Sequence, residues 1–285
     1  MNNTFDWNRF CKVVHKDFRN MWPMFGSTMI ILAALPFAVW LLLWVMGQGE
    51  YISMPPDYRL LMIEGMAYLA AIMAPSRMYR TWNIRNEGIY YAMLPASKKE
   101  KFISALLFSL VVCPLTVYLG GVALDVFLTA LPFGSWHDWL WQCEMGFPFT
   151  LDMGSLLSEV ATADAGAEAF QMLYFGTLYN IGCWLGYIGT VLMFFFTATL
   201  FKKHKVLQTL LWLYLINFVL SIILIPVFML IFGATDFLEW FYHLTDAMNG
   251  QQMANWFFGI CLGFDVITIA LFGWLSWHRL NRMAY

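Results

Sequence analysis

Positive charge in this chain is confined to four short stretches that alternate with long apolar runs. Fifteen of the sixteen Lys and Arg residues lie within residues 9–19, 77–101, 202–205 and 279–282, and Arg59 is the exception. Basic residues of membrane proteins concentrate in loops on the cytoplasmic side. The pattern therefore predicts a polytopic membrane protein whose four basic stretches face the cytoplasm.

Two segments between the apolar runs have the opposite character. Residues 132–169 and 233–253 contain no Lys or Arg and carry nine Asp and Glu residues, so we expect them to be outer loops. The composition agrees, because 61% of the residues are hydrophobic and only 12% are charged, against about 25% charged in soluble domains. The sequence has no basic patch suited to a phosphate backbone, so we expect no nucleic-acid partner.

Six apolar segments are long enough to cross a bilayer, whose core needs about 20 residues per helix. They are residues 24–47, 60–78, 102–131, 170–200, 206–232 and 254–277. These segments predict an all-α polytopic integral membrane protein of the cell (cytoplasmic or inner) membrane, with both termini cytoplasmic. Only residues 201–205 join the fourth and fifth segments, so we expect antiparallel neighbours. Pro75 is expected to end or kink the second segment.

Residues 1–23 precede this membrane domain, which covers residues 24–285. Apolar residues recur here at spacings of three and four, while basic residues occupy the other face. The apolar set is Trp7, Phe10, Val14, Phe18 and Met21. The spacing predicts an amphipathic helix that lies in the inner headgroup plane and binds membrane lipid. A cytosolic helix packed on a soluble partner is the alternative.

The cytoplasmic loop at about 79–101 has internal structure of its own. Ser97, followed three residues later by Glu100, forms a capping box, which predicts that the third membrane helix begins here. Apolar and aromatic side chains precede Pro95 on the cytoplasmic side, which suggests a docking surface. These side chains are Ile89, Tyr90, Tyr91 and Met93. Packing back against the bundle, or in the interface where Tyr is common, is the alternative.

The same loop carries a resemblance to a known family. Arg85-Asn86-Glu87-Gly88 followed by Leu94-Pro95-Ala96-Ser97-Lys98-Lys99-Glu100, between the second and third of six spans, resembles the type-2 permeases of ATP-binding-cassette exporters. The resemblance implies a coupling helix that docks into a cytosolic nucleotide-binding ATPase subunit. The matching residues are Glu87, Gly88, Leu94, Pro95 and Ser97. A second six-span permease half, either the same chain or a homologue, is also implied. The longest outer loop departs from the family pattern, because it joins the third and fourth spans.

The sequence contains no recognisable nucleotide-binding or catalytic motif. It has no Gly-Lys pair for a P-loop and no HExxH zinc motif, and its five cysteines have no CxxC spacing. We therefore expect no catalytic residue, metal or cofactor on this chain, and neither a disulfide framework nor a cysteine metal site. ATP and Mg are expected on the partner ATPase.

Three acids fall inside the predicted spans, where each costs about 2.5–3.5 kcal/mol on insertion scales unless it faces protein or water. Asp265 is the deepest, and either lines a translocation path or holds two helices together through Asn180, Asn217 or Thr268. Glu64 and Asp125 lie nearer the outer surface, where we expect them to be solvated.

Small residues and aromatics supply weaker signals. Gly182-x-x-x-Gly186 and Gly259-x-x-x-Gly263 permit close approach between helices, and we expect packing within the chain rather than a dimer seam. Five outer aromatic residues are expected to form an interfacial belt. They are Trp136, Trp139, Trp141, Phe147 and Phe149.

These observations favour one function and leave others open. The preferred function is a permease subunit of an ATP-driven exporter for a hydrophobic or amphipathic substrate, and not an enzyme. The alternatives are a membrane-embedded enzyme or ion-coupled carrier, and a non-transporting regulatory membrane subunit. A carrier would call for inverted repeats with broken helices, and an enzyme for a polar catalytic cluster. The sequence shows neither.

Overall fold

The computed structural model describes residues 5–46, 55–78, 95–130, 140, 145–151, 167–201, 204–232 and 250–282. Its helices are α1 (Trp7–Met21), α2 (Ser27–Met46), α3 (Pro56–Met78), α4 (Lys98–Leu107), α5 (Cys113–Thr129), α6 (Ala167–Leu200), α7 (Lys205–Phe232) and α8 (Gly250–Arg282). Two-residue strands β1 (Met145–Gly146) and β2 (Thr150–Leu151) pair antiparallel. The described part of the chain is otherwise helix and short connections.

Each predicted span coincides with a helix, and four helical segments are long and apolar enough to cross a membrane. These are Trp7–Leu42, Lys98–Thr129, Tyr174–Leu200 and Phe258–Asn281. Helix α3 falls short because it carries Asp57, Arg59, Glu64 and Arg77. Helix α7 is apolar over Lys205–Ile216, the first part of its length.

Two of the long helices change their winding at five-residue π-helical segments. Residues Trp22–Gly26 join α1 to α2, and Phe108–Val112 join α4 to α5. Pro23 lies within the first segment, and Pro114 lies two residues beyond the second. A proline lacks the N–H that an α-helix requires, so the backbone next to it rearranges. Helix α1 therefore leads into α2 without a break.

Helix α3 is the central helix of the bundle. It packs against α2, α5, α6 and α7. Ala67, Ala70, Ala71 and Ala74 are fully buried along one face, and such small residues let neighbouring backbones approach. Pro75 does not end the helix as expected, because helical structure continues to Met78. Arg59 and Glu64 are buried inside the protein, so these two charged side chains need not contact lipid.

Helices α6 and α8 form a long seam. A side chain at Gly182 would touch Leu262, and one at Gly189 would touch Thr268 and Ile269. The Gly182-x-x-x-Gly186 motif therefore packs within the chain, as predicted. Gly259 and Gly263 have nothing within 4 Å among the described residues, so the second motif does not contribute to this seam.

Helix α7 follows α6 after a tight turn at His204, whose φ is 46°. Lys205 and Thr209 are buried beside the turn, whereas Leu207, Leu211 and Tyr214 are exposed. Helices α6 and α7 are in contact, as expected of the fourth and fifth spans, and α6 also packs along α8.

Three of the four basic stretches meet at one end of the bundle, called here the basic end. Arg9 contacts Glu100 on α4, and Lys98 donates a hydrogen bond to the carbonyl of Asn281 on α8 at 2.8 Å. The largest hydrophobic cluster reaches this end, with Met21, Met78, Ala105, Phe195 and Leu280 in mutual packing.

Candidate functional site

A buried ion pair joins α3 to α5. The Arg59 guanidinium donates from Nη1 to both carboxylate oxygens of Asp125, at 3.2 and 3.3 Å, and to the Thr129 hydroxyl at 3.3 Å. Arg59 is 2% exposed and Asp125 is 4% exposed. Gly121 makes the contact possible, because a Cβ there would lie 2.9 Å from Ile63. The expectation that Asp125 is solvated was wrong.

Glu64 is also buried, which corrects the expectation that it is solvated. It is 1% exposed, and its Oε2 accepts a hydrogen bond from the backbone N–H of Phe149 at 3.0 Å. Its other oxygen, Oε1, has no hydrogen-bond partner among the described residues. Burying a carboxylate oxygen without a hydrogen-bond partner lowers the free energy of unfolding, because that oxygen loses its hydrogen bonds to water.

The residues between β1 and β2 form a hairpin, 145–151, that inserts its aromatic rings between helices. The Phe147 ring contacts Tyr118, Trp184 and Tyr187 at centroid distances of 5.8, 6.5 and 5.3 Å, and Phe149 contacts Tyr68 at 5.9 Å. The Phe147–Pro148 bond is cis. Phe147 and Phe149, two of the residues expected in the interfacial belt, thus pack against side chains of three helices. Trp136, Trp139 and Trp141 lie outside the described residues.

A freed backbone carbonyl anchors one wall of this region. Pro114 has no N–H to offer the carbonyl of Leu110, four residues earlier. The Tyr187 hydroxyl donates to that carbonyl instead, at 2.6 Å. Helix α6 is thereby tied to the π-helical segment between α4 and α5, which places Tyr187 against Phe147.

Asp265 lies at the seam between α6 and α8. Its Oδ2 is 3.9 Å from the position that a Cβ on Gly186 would take, and it is near enough to Tyr68 to interact electrostatically. The Thr268 hydroxyl donates to the carbonyl of Phe264, so it does not bind Asp265. The side chain of Asn217 lies outside the described residues.

A second polar cluster, the Glu100 junction, lies at the basic end. Glu100 is fully buried, and its Oε2 accepts from the N–H of Ser97 at 2.8 Å while Ser97 Oγ accepts from the N–H of Glu100 at 3.3 Å. Both arms of the predicted capping box are present, and α4 begins at Lys98. Glu100 Oε1 accepts from the N–H of Asp6 at 2.9 Å and lies 3.3 Å from Arg9 Nη2.

The junction continues one turn along α4. The Ser104 hydroxyl donates to Asp17 Oδ2 at 2.7 Å, and both residues are buried. Asp6 caps α1 by accepting from the N–H of Asn8 at 2.9 Å. One carboxylate, that of Glu100, therefore organises the N-termini of both α1 and α4, and charge-assisted hydrogen bonds of this kind are the stronger ones.

The predicted coupling residues are only partly within the described structure. Glu87, Gly88, Ile89, Tyr90, Tyr91, Met93 and Leu94 lie outside it. Pro95 is exposed and Ser97 is buried at the N-cap of α4. The end of the loop is thus joined directly to the Glu100 junction.

Comparisons with known protein families, with curated proteins and with solved structures found no match. The chemistry of the two clusters is therefore the basis for assigning a function. Among the described residues, no group of three or more His, Cys, Asp or Glu side chains could hold a metal ion. These clusters can bind a partner through hydrogen bonds, charge pairing and aromatic contacts.

The Arg59–Asp125 pair was detectable in the sequence. Arg59 is the single basic residue outside the four stretches, and it lies near the start of the second predicted span. Asp125 lies near the end of the third span, at the same expected depth. A lone cation beside an acid of equal depth indicates an ion pair, because an unpaired charge is costly there. The hairpin contacts had no comparable signal.

We predict that Asp125→Asn destabilises the bundle by about 3 kcal/mol or more, because it leaves Arg59 buried without its counter-charge. Thermal unfolding in detergent micelles measures the effect. The double variant Arg59→Met/Asp125→Leu should recover most of the loss, since it removes both charges. An Asp125→Asn protein as stable as the wild type would contradict the buried pair.

We predict that Asp265→Asn leaves folding and assembly intact, because the amide keeps the shape of the side chain at the seam with Gly186. Gly186→Val should be harmful, because its side chain would meet Asp265. Size-exclusion profiles and thermal unfolding compare the two variants. Loss of assembly in Asp265→Asn would instead require a structural role for the charge.

Proposed function

We propose that this chain is the membrane-spanning permease subunit of an ATP-driven exporter, in which a separate cytosolic ATPase supplies the energy. The exporter moves a hydrophobic or amphipathic substrate and needs a second six-span half, which is a copy of this chain or a homologue. The basic end faces the cytoplasm, and both termini lie there, in the cell membrane.

The Glu100 junction is the observation that carries this proposal. Residues 79–94 connect Met78 of α3 to Pro95, which lies next to the Ser97 cap. Glu100 then joins that cap to Asp6 and Arg9 of the N-terminal segment. A partner that moves the loop therefore pulls on α3, α4 and α1 together. Such a rigid connection is what a coupling element requires.

The exposed face of α1 supports an interfacial position. Phe10, Val13, Asp17 and Met21 are buried, so one face packs within the protein. Trp7, Phe18 and Trp22 are more than half exposed along another face. Aromatic residues with this exposure suit the headgroup region of a bilayer.

The six-span arrangement adds α3 and α7 to the four apolar helical segments. Helix α3 has 23 residues and α7 has 28, which is enough to cross a hydrocarbon core of about 30 Å at 1.5 Å per residue. The charges of α3 are compatible with a span because Arg59 is paired and Glu64 is hydrogen-bonded inside the bundle.

We predict that Tyr90→Ala combined with Tyr91→Ala weakens copurification of the ATPase with a tagged chain. Buried aromatic residues at the centre of an interface typically cost about 2 kcal/mol or more when truncated, which corresponds to roughly a thirtyfold loss of affinity. Lys99→Ala is the matched control, because Lys99 is exposed in the first turn of α4. Undiminished copurification with the tyrosine variant would exclude this loop as the docking surface.

We predict that Glu100→Ala leaves docking of the ATPase intact but prevents the transmission of motion to α1. The ATPase should still copurify, because residues 87–94 are unchanged. Vanadate trapping of the ATPase should alter amide hydrogen exchange in residues 7–21 of the wild type but not of the variant. The Lys99→Ala protein should behave as the wild type. An equal response of α1 in Glu100→Ala would show that the junction does not transmit motion.

A further inference from the structure

The hairpin 145–151 occupies a pocket, named here the hairpin pocket, whose walls come from three helices. The walls are Glu64 and Tyr68 from α3, Tyr118 from α5, and Trp184 and Tyr187 from α6. Phe147 and Phe149 supply the rings that fill it. The exporter proposal, the ion pair and the Glu100 junction leave this pocket without a role.

We propose that the hairpin pocket is a binding site for an aromatic organic cation and that the hairpin occupies it in the present conformation. As the substrate site of an exporter, this assignment rests on the function proposed above. The hairpin presents what such a ligand would present, namely aromatic rings and an N–H donor directed at a carboxylate. It therefore acts as an internal competitor.

The ring geometry suits an aromatic ligand. Tyr187 contacts both Tyr68 and Phe147 in edge-to-face arrangements, at 5.5 and 5.3 Å, and such pairs add to the free energy of simple burial. A ligand ring in place of Phe147 would meet the same three neighbours. Trp184 is 47% exposed, so this wall of the pocket lies at the surface of the bundle.

The carboxylates indicate that the ligand is a cation. Glu64 uses one oxygen for the Phe149 N–H, and its Oε1 has no partner among the described residues. Neither Glu64 nor Asp265 forms an ion pair within the described structure, because Arg59 pairs with Asp125. Tyr68 lies one helical turn from Glu64 on α3, and its ring contacts Phe149. Aromatic faces also attract cations.

An organic cation fits this pocket better than a metal ion. Hard divalent cations take six or more oxygen ligands, and the described residues contain no group of three acidic, His or Cys side chains suited to a metal. An ammonium group needs one carboxylate and gains from neighbouring rings. Glu64 and the four aromatic walls provide both.

The test uses two probes of one shape, phenethylammonium and its uncharged analogue 2-phenylethanol, with the purified full-length chain in detergent and calorimetric titration. Phe147→Ala removes the competing ring, so it should bind phenethylammonium at least tenfold more tightly than the wild type. Adding Glu64→Gln to this variant should weaken phenethylammonium binding at least tenfold, because the amide keeps the hydrogen bond to Phe149 but lacks the charge. Binding of 2-phenylethanol should be weaker and insensitive to Glu64→Gln.

Two further variants keep the experiment decisive. Asp57→Asn removes an exposed acid from the same helix and should change nothing. Tyr68→Leu in the Phe147→Ala background removes a wall ring while keeping Glu64, and should weaken amine binding even if the Glu64→Gln protein does not fold. Equal affinity for the amine and the alcohol, or equal affinity of the wild type and Phe147→Ala, would overturn the assignment.

The result is independent of the ATPase. If phenethylammonium binds as expected but no ATPase copurifies with the chain, the site stands and the exporter proposal fails. If the ATPase copurifies but Phe147→Ala gains no affinity, the exporter proposal stands and the hairpin pocket is only a packing contact.

Discussion

The need to provide partners for two buried charged side chains of α3 organises this structure. Arg59 and Glu64 lie on one helix within five residues of each other, and exposure of either to hydrocarbon would cost about 2.5–3.5 kcal/mol on insertion scales. Arg59 and Glu64 obtain different kinds of partner. Asp125 neutralises Arg59 across a contact that Gly121 permits, whereas Glu64 receives a backbone N–H from a loop that folds inward.

The inward position of the hairpin follows from a second constraint, the loss of backbone hydrogen bonds at prolines. Pro114 frees the carbonyl of Leu110, and Tyr187 satisfies it from α6. With Tyr187 held there, its ring forms the floor against which Phe147 packs. The π-helical segment, Tyr187 and the hairpin are therefore parts of one arrangement, in which the Leu110 carbonyl and the Phe149 N–H both obtain side-chain partners.

The sequence predicted the positions of the helices well, because long apolar runs and basic stretches are strong signals that do not depend on tertiary contacts. The start of α4 was predicted almost to the residue, since a capping box is a local interaction between Ser97 and Glu100. The partners of Glu100 in the N-terminal segment were not predictable, because they are 91 to 94 residues away in sequence.

The buried state of Glu64 and Asp125 could not be obtained from depth alone. The positions of both acids along their helices follow from the sequence, but whether protein or water surrounds a side chain depends on which helices are neighbours. The long contact between α6 and α8 was not predicted for the same reason. The glycines of α6 indicated that another helix packs closely against α6, but they did not indicate which one.

Helix α3 connects the hairpin pocket to the loop that precedes the Glu100 junction. In the proposed transport cycle, motion of that loop would pass through α3 to the pocket. Helix α3 runs from Pro56 to Met78, so Glu64 and Met78 are separated by roughly 21 Å at 1.5 Å per residue. Loop 79–94 follows Met78 directly and returns to the Glu100 junction. A displacement of the loop by a bound ATPase would therefore move Glu64 relative to the hairpin, whose Phe147 ring is held by contacts with α5 and α6 instead. Loss of the hydrogen bond from the Phe149 N–H to Glu64, together with the ring contact between Phe149 and Tyr68, would release the hairpin from α3 and expose the carboxylate to an incoming cation.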